Sequence, residues 1–179
     1  TGVGFNVLTK NGLISSDFGI NNTAVGFEAL KNLDNNTADQ NTAVGSQAHL
    51  YNDSGFQNTA IGAEAMSGYS GGDENIAVGF QALNGGNNTA NGHQNVAIGV
   101  GALHDNISGD NNVAIGYKAG FAHTGDDQLF IQNRTLPSYD PLIWGRFAPG
   151  IIRVQINGED ISTTNLFYVN GSAGGTGNW

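Results

Sequence analysis

The sequence predicts an all-β protein: a β-solenoid array followed by a small β module. Three observations predict it. One short phrase returns through most of the chain, small and β-branched residues alternate inside that phrase, and no stretch sustains an apolar 3.6-residue period because Gly interrupts every window.

The phrase is Asn22-Thr23-Ala24-Val25-Gly26-Phe27-Glu28-Ala29-Leu30. It returns from Asn41, Asn58, Asn75, Asn95 and Asn112, with Gly45, Gly62, Gly79, Gly99 and Gly116 each four residues on. Thr1 to Leu8 fits the same frame with two substitutions, so the chain is expected to begin inside a longer array. Counted from Gly4, the Gly-to-Gly steps are 22, 19, 17, 17, 20 and 17, a period that fits stacked coils better than one globular core. The alternation gives each coil a short strand with two faces. One face carries Thr23 and Val25 and their counterparts through Val113 and Ile115; being β-branched throughout, it is expected to be core. The other carries Ala24, Ala43, Ala60, Ala77, Ala97 and Ala114, and is expected where another backbone approaches too closely for a larger side chain. The Gly should turn a corner through a positive φ or a close approach. The Asn should either bond its own backbone in a turn or stack into a ladder from coil to coil.

Residues 1–125 are therefore read as the array, about seven coils stacked at about 4.8 Å to make a rod of roughly 30 Å. The connecting segments vary in length while the phrase does not, and in a solenoid such insertions gather on one face or edge. Coils this rich in Asn, Gly, Asp and Ser bury little apolar area, so a homo-oligomer is the economical arrangement. From residue 126 to 179 the texture changes. Strand-like runs at Leu129–Ile131, Leu142–Trp144, Ile151–Ile156 and Leu166–Val169 are separated by turns holding all three prolines, and a Gly-rich exit follows.

The net charge of −9, with only six Lys plus Arg, argues against nucleic acid or an anionic membrane as partner. Absence of cysteine removes disulfides and thiolate metal sites. No apolar run approaches the length of a membrane-spanning helix, so no membrane insertion is expected.

The repeated Asn-Thr-Ala-Val-Gly-x-x-Ala-Leu with Asn/Gly-rich spacers resembles the left-handed β-roll head of trimeric autotransporter adhesins and the related repeats of bacteriophage tail fibres. Residues 127–131, 141–147 and 152–158 and the closing Gly174 to Trp179 look like the segment that precedes the endosialidase-type intramolecular chaperone of phage fibres. The resemblance implies a homotrimeric β-roll array followed by a small intertwined β module, carried in a virion tail fibre and joined to upstream fibre segments. The heptads of an adhesin stalk are missing, which favours the phage-type fibre over a bacterial cell-surface adhesin head.

Candidate chemistry is sparse. His49, His93, His104 and His123 stand singly in loops without HxH or HExxH spacing, so no metal site is expected. Asp53, Asp73 with Glu74, Asp110, and Asp126 with Asp127 have a composition that could suit Ca²⁺, but turn chemistry accounts for them more cheaply, and no cofactor is expected. The acids are adjacent rather than facing, so glycan hydrolysis or lysis by paired carboxylates is the lesser alternative and no catalytic residue is assigned. Aromatic rings with a few polar groups are how surfaces hold sugars. On that ground Tyr51, Phe56, Tyr69, His93 and His104 in the loops, and Tyr139, Trp144, Arg146 and Arg153 in the terminal module, are the candidates for binding a host cell-surface glycan or protein. The expected function is non-catalytic adhesion. An ice-binding solenoid is a third class, weakened because Thr holds its ladder position in only three of six copies.

Overall fold

The computed structural model describes residues 1–8, 20–33, 38–86, 89–133, 142–147, 153–156 and 159–160. Every element described is a β-strand, and the strands build a β-solenoid of about six turns. In chain order they are β1 (Gly2–Val3), β2 (Thr23–Val25), β3 (Asn32–Leu33), β4 (Thr42–Val44), β5 (Tyr51–Asn52), β6 (Thr59–Ile61), β7 (Ile76–Val78), β8 (Val96–Ile98), β9 (Val113–Ile115), β10 (Gln128–Ile131), β11 (Ile143–Arg146), β12 (Arg153–Ile156) and β13 (Glu159–Asp160). One sheet runs β1-β2-β4-β6-β7-β8-β9-β10-β11-β12-β13, and β3 pairs with β5 in a second. From β1 to β10 every pairing is parallel and in register with the repeat, so that Ala24, Ala43, Ala60, Ala77, Ala97 and Ala114 form one column. Beyond β10 the pairing turns antiparallel through β11, β12 and β13.

The face assignment expected for the strands is inverted. All six strand alanines are fully buried inside the coil, while Val25, Val44, Ile61, Ile98 and Ile115 stand outward with about two fifths of their surface exposed (37–41%). Size decides this. A coil of this length encloses a lumen only a few side chains wide, and Ala29, Leu30 and their counterparts fill it from the adjacent side, so the strand can contribute no more than a methyl. It is the coil's own opposite wall, within the chain, that the alanines approach.

Each circuit turns on residues with positive φ. The repeat glycines sit at φ 134–138° from Gly26 to Gly99, except for their close neighbour Gly116 at 111°. A Cβ at Gly45 would fall 2.5 Å from the Gly62 carbonyl oxygen, so the stack excludes any side chain there as well. Three further left-handed positions recur in each coil: Glu64, Met66 and Glu74 in one, Gln81, Leu83 and Gln94 in the next. Non-Gly residues resist this conformation, at a cost of order 1 kcal/mol each, so the coil-to-coil hydrogen bonds must hold them there.

The asparagine column supplies much of that hold. Asn22 Oδ1 accepts the main-chain N–H of Asn41 at 2.8 Å, and the same bond repeats at 2.9–3.0 Å through Asn58, Asn75, Asn95 and Asn112 to Gln128. The other end of each amide donates to the main chain at the corner that leads into the next coil: Asn41 Nδ2 to Gly55 O, Asn58 to Gly72 O, Asn75 to Gly92 O, Asn95 to Gly109 O, all at 2.8–2.9 Å. The column is buried, so every one of these groups would be orphaned without its partner.

Tyr69 ties non-adjacent turns together. It is fully buried, lies against Gly72, Gly85 and Ala90, and its hydroxyl donates to the main-chain carbonyl of Asn106 at 2.8 Å, two turns further along the stack. The longer loop of the intervening coil makes the room.

Two outcomes follow for stability. Asn75→Ala should cost about 3 kcal/mol, because it orphans the Asn95 N–H and the Gly92 carbonyl together, whereas Ala at the exposed Asn91 should stay within about 0.5 kcal/mol; denaturant unfolding of the two variants checks this. Tyr69→Phe should lose about 1–2 kcal/mol by leaving the Asn106 carbonyl without its donor, a loss readable in the same experiment.

Candidate functional site

The residues singled out from the sequence do not converge. Tyr69 is corrected from a surface candidate to a core residue; its phenol is pushed well above the ordinary value, by burial first and then by the Asp110 charge. Tyr51 is half-buried in β5, and Phe56 is exposed one corner further on. His93 accepts the Asp73 main-chain N–H on Nδ1 at 3.2 Å, and Asp73 Oδ2 lies at the same distance from that nitrogen. His104 is spent on its neighbours: Nδ1 meets Asp105 Oδ1 at 2.6 Å and the ring stacks on Phe121 with centroids 4.7 Å apart. In the terminal strands Trp144 Nε1 donates to Gln128 Oε1 at 3.0 Å and its ring packs against the core. Arg146 is exposed, with Arg153 opposite it in the β11–β12 register. Tyr139 lies outside the described residues.

The expectation of loop histidines in solvent also needs correction. His49 is completely buried, in the column that Leu30, Met66, Leu83 and Leu103 fill in the other coils. His123 is half-buried against Phe130 at 4.8 Å with its Nε2 unpartnered, and burial lowers its pKa.

The carboxylates at the corner beside the asparagine column act as main-chain acceptors between coils. Asp73 Oδ1 takes the Phe56 N–H at 3.0 Å, Asp110 Oδ1 the His93 N–H at 2.7 Å, and Asp126 Oδ1 the Asp110 N–H at 2.9 Å. Among the described residues no three His, Asp or Glu side chains group as metal ligands would.

Two surfaces remain, one that the sequence reading missed and one that it placed in the core. The first is a polar column at the left-handed corner after each Gly, where acid and amide alternate. Gln47 Nε2 donates to Glu28 Oε2 at 3.1 Å and Gln81 Nε2 to Glu64 Oε2 at 2.8 Å. Lys31, bonded to Glu28 at 2.7 Å, and then Gln47 hold the Glu28 carboxyl below its ordinary pKa. The signal was in the sequence as Glu28, Gln47, Glu64, Gln81, one per repeat; it carries meaning only once the coils are known to stack in register.

The second is the outward face of the parallel sheet. Thr23, Val25 and Phe27 lie side by side in one coil, and the same three positions read Thr42-Val44-Ser46, Thr59-Ile61-Ala63, Ile76-Val78-Phe80, Val96-Ile98-Val100 and Val113-Ile115-Tyr117 in the others. None carries a charge. Phe27 and Phe80 are nearly half exposed (47% and 46%), and Phe27 stacks on Phe5 at 5.8 Å. Chemically this is an in-register, uncharged strip, roughly 30 Å long at one strand spacing per coil, and monomeric proteins seldom leave such a strip to water.

Comparison with protein-family models, with curated proteins and with solved structures finds no match.

Gln47→Glu should place three carboxylates in successive coils and destabilise the chain by about 1 kcal/mol at pH 7. The introduced Glu, repelled by Glu28 and Glu64, gains a raised folded-state pKa, so the deficit should shrink as pH falls toward 4 and as salt is added. Thermal melts of both chains at the two pH values check the sign.

Proposed function

We propose that the chain is a structural and receptor-binding segment of a homotrimeric phage or phage-like tail fibre that adheres to a host cell-surface glycan or protein without catalysis. The observation that carries this reading is the uncharged apolar strip present on every coil. Three copies side by side, in parallel, would bury it, turning three thin solenoids into one rod with a shared core. The repeat phrase resembles that of fibre and adhesin β-rolls, and the antiparallel strands β10–β13 stand where the resemblance expects an intertwined module. Three binding sites on one rigid rod raise one another's effective concentration, so weak contacts suffice for adhesion. Exposed Phe56 and Arg146 remain available as receptor contacts, and the half-buried Tyr51 in part. A bacterial adhesin head would use the same surface and differ in its flanking segments.

Light scattering on the eluted protein should give three times the 18.6 kDa chain mass. Ile61→Asp with Ile98→Asp should reduce this to one chain mass, because each copy would bring two charges into a desolvated seam. A wild-type monomer would overturn the fibre reading. Binding of fluorescent trimer, but not of the double variant, to candidate host cells tests adhesion, and release of reducing ends from host polysaccharide would point to an enzyme.

One observation favours a second reading. Thr23, Thr42 and Thr59 are in register on an outward, regularly spaced face, the arrangement an ice-binding solenoid needs. Thermal hysteresis from a monomeric protein would decide for it.

A further inference from the structure

The side chain least at ease in the structure is His49. It takes the core position that Leu30, Met66, Leu83 and Leu103 take in neighbouring coils, it is fully buried, and both ring nitrogens lack a hydrogen-bond partner. Its main-chain N–H bonds to the Ala65 carbonyl at 2.8 Å, which fixes the residue at the junction between the coils that begin at Asn41 and Asn58. Its φ of 48° is shared with the leucines of the column, so the backbone there is the repeat's own and only the side chain departs from it.

The titratable groups on the packed elements give a protonated ring little support. Glu28 and Lys31, on the preceding coil, pair with each other, and Glu64, on the following coil, accepts from Gln81. Tyr69, also on the following coil, gives its hydroxyl to Asn106. Asp53 is exposed in His49's own coil, and Asp39, Asp73 and Glu74 lie beside the asparagine column. The one polar influence on the ring's charge is the main chain of Tyr69, which favours protonation and does not offset burial.

We propose that His49 is an acid-sensitive weak point built into the stack: as the medium turns acid, the junction it occupies loses stability because the ring can take up a proton only when these coils separate. In a solenoid, stability is a sum over neighbouring interfaces, so one such junction can open without the rest of the array.

The direction follows from burial, which pushes the His49 pKa down from 6.5 to about 3. Since the folded-state value lies below the unfolded one, the contribution of His49 is complete above pH 6.5. It is lost progressively as pH falls from there toward 3, and changes no further below. At pH 5 the ratio of opened to closed chains should be about 30-fold higher than at pH 8 on account of this one ring.

The test compares the full chain with His49→Leu and His49→Met, each of which restores a residue the column already accepts. Unfolding free energy from denaturant titration at pH 8 and pH 5, read alongside the proton uptake on unfolding, should show the 30-fold pH effect in the wild type and its removal in both variants, with about one proton fewer taken up at pH 5. Acid dependence contributed by His123 or the carboxylates is common to all three chains and cancels. NMR titration of the His49 Cε1 proton in the folded wild type needs no variant, and should show no protonation between pH 7.5 and 4.5. Equal pH dependence in all three chains, or a His49 resonance that titrates near pH 6.5 in the folded protein, would overturn the proposal.

Discussion

The stack depends on a carboxamide whose two ends both reach into the next coil. Each repeat asparagine accepts the main-chain N–H of its counterpart in the next coil and donates to the main chain at the corner leading into that coil. Both bonds are buried, so a coil that failed to return to the same place would leave two unpaired polar groups at once. This explains why the chain can vary its connecting loops and not its phrase. A step of 17 or of 20 residues between glycines closes on the same two bonds, the extra residues being accommodated where the circuit is not stacked tightly. The glycines enforce the same closure from the other side, since a Cβ at Gly79 would meet the Gly99 carbonyl oxygen at 2.6 Å.

Closing so small a circuit has two costs that shape the rest of the molecule. One is conformational, because three left-handed corners per coil fall on residues such as Glu64, Met66 and Glu74 that do not favour them. The other is geometric. The lumen accepts Ala from the strand and Leu or Met from the adjacent side, and is then full, so the β-branched residues are displaced to the outside. A single chain therefore presents on its flat side the apolar surface that a wider fold would have put in its core. The proposed side-by-side assembly is the counterpart of that displacement.

How much of this could be read from the sequence varies with the kind of information involved. The register was legible because it is repetitive: Asn and Gly recur in step, and nothing but stacked coils explains six copies in phase. Which strand face is inside was not, because hydrophobicity favours Val25 over Ala24 while the narrow lumen favours Ala24, and lumen width is set by the closed circuit rather than by any local pattern. The polar column of Glu28, Gln47, Glu64 and Gln81 was visible letter by letter but had no meaning until stacking made residues 17 to 19 apart into neighbours. Tyr69 and His49 are single departures from the repeat. Taken alone each looks like a loop residue, and alignment against its own repeat would have flagged at least His49 as standing in a Leu column. The receptor candidates are scattered because residue type alone does not determine which side chains share a surface.

The way the parallel stack ends follows from the same carboxamide. At β10 the column position passes from Asn to Gln128, whose main-chain N–H still donates to Asn112 Oδ1 at 3.0 Å. Its own side-chain oxygen, which in Asn would receive the next coil, instead accepts the Trp144 indole N–H from β11. In the same strand Phe130 stands where the six coils from Ala24 to Ala114 carry alanine, and its ring is buried. With the ladder's acceptor engaged by Trp144 and Phe130 in the alanine position, β11 pairs antiparallel, with Trp144 opposite Phe130. Two departures within the repeat's own register, Gln128 for Asn and Phe130 for Ala, thus coincide with the point at which the pairing turns antiparallel.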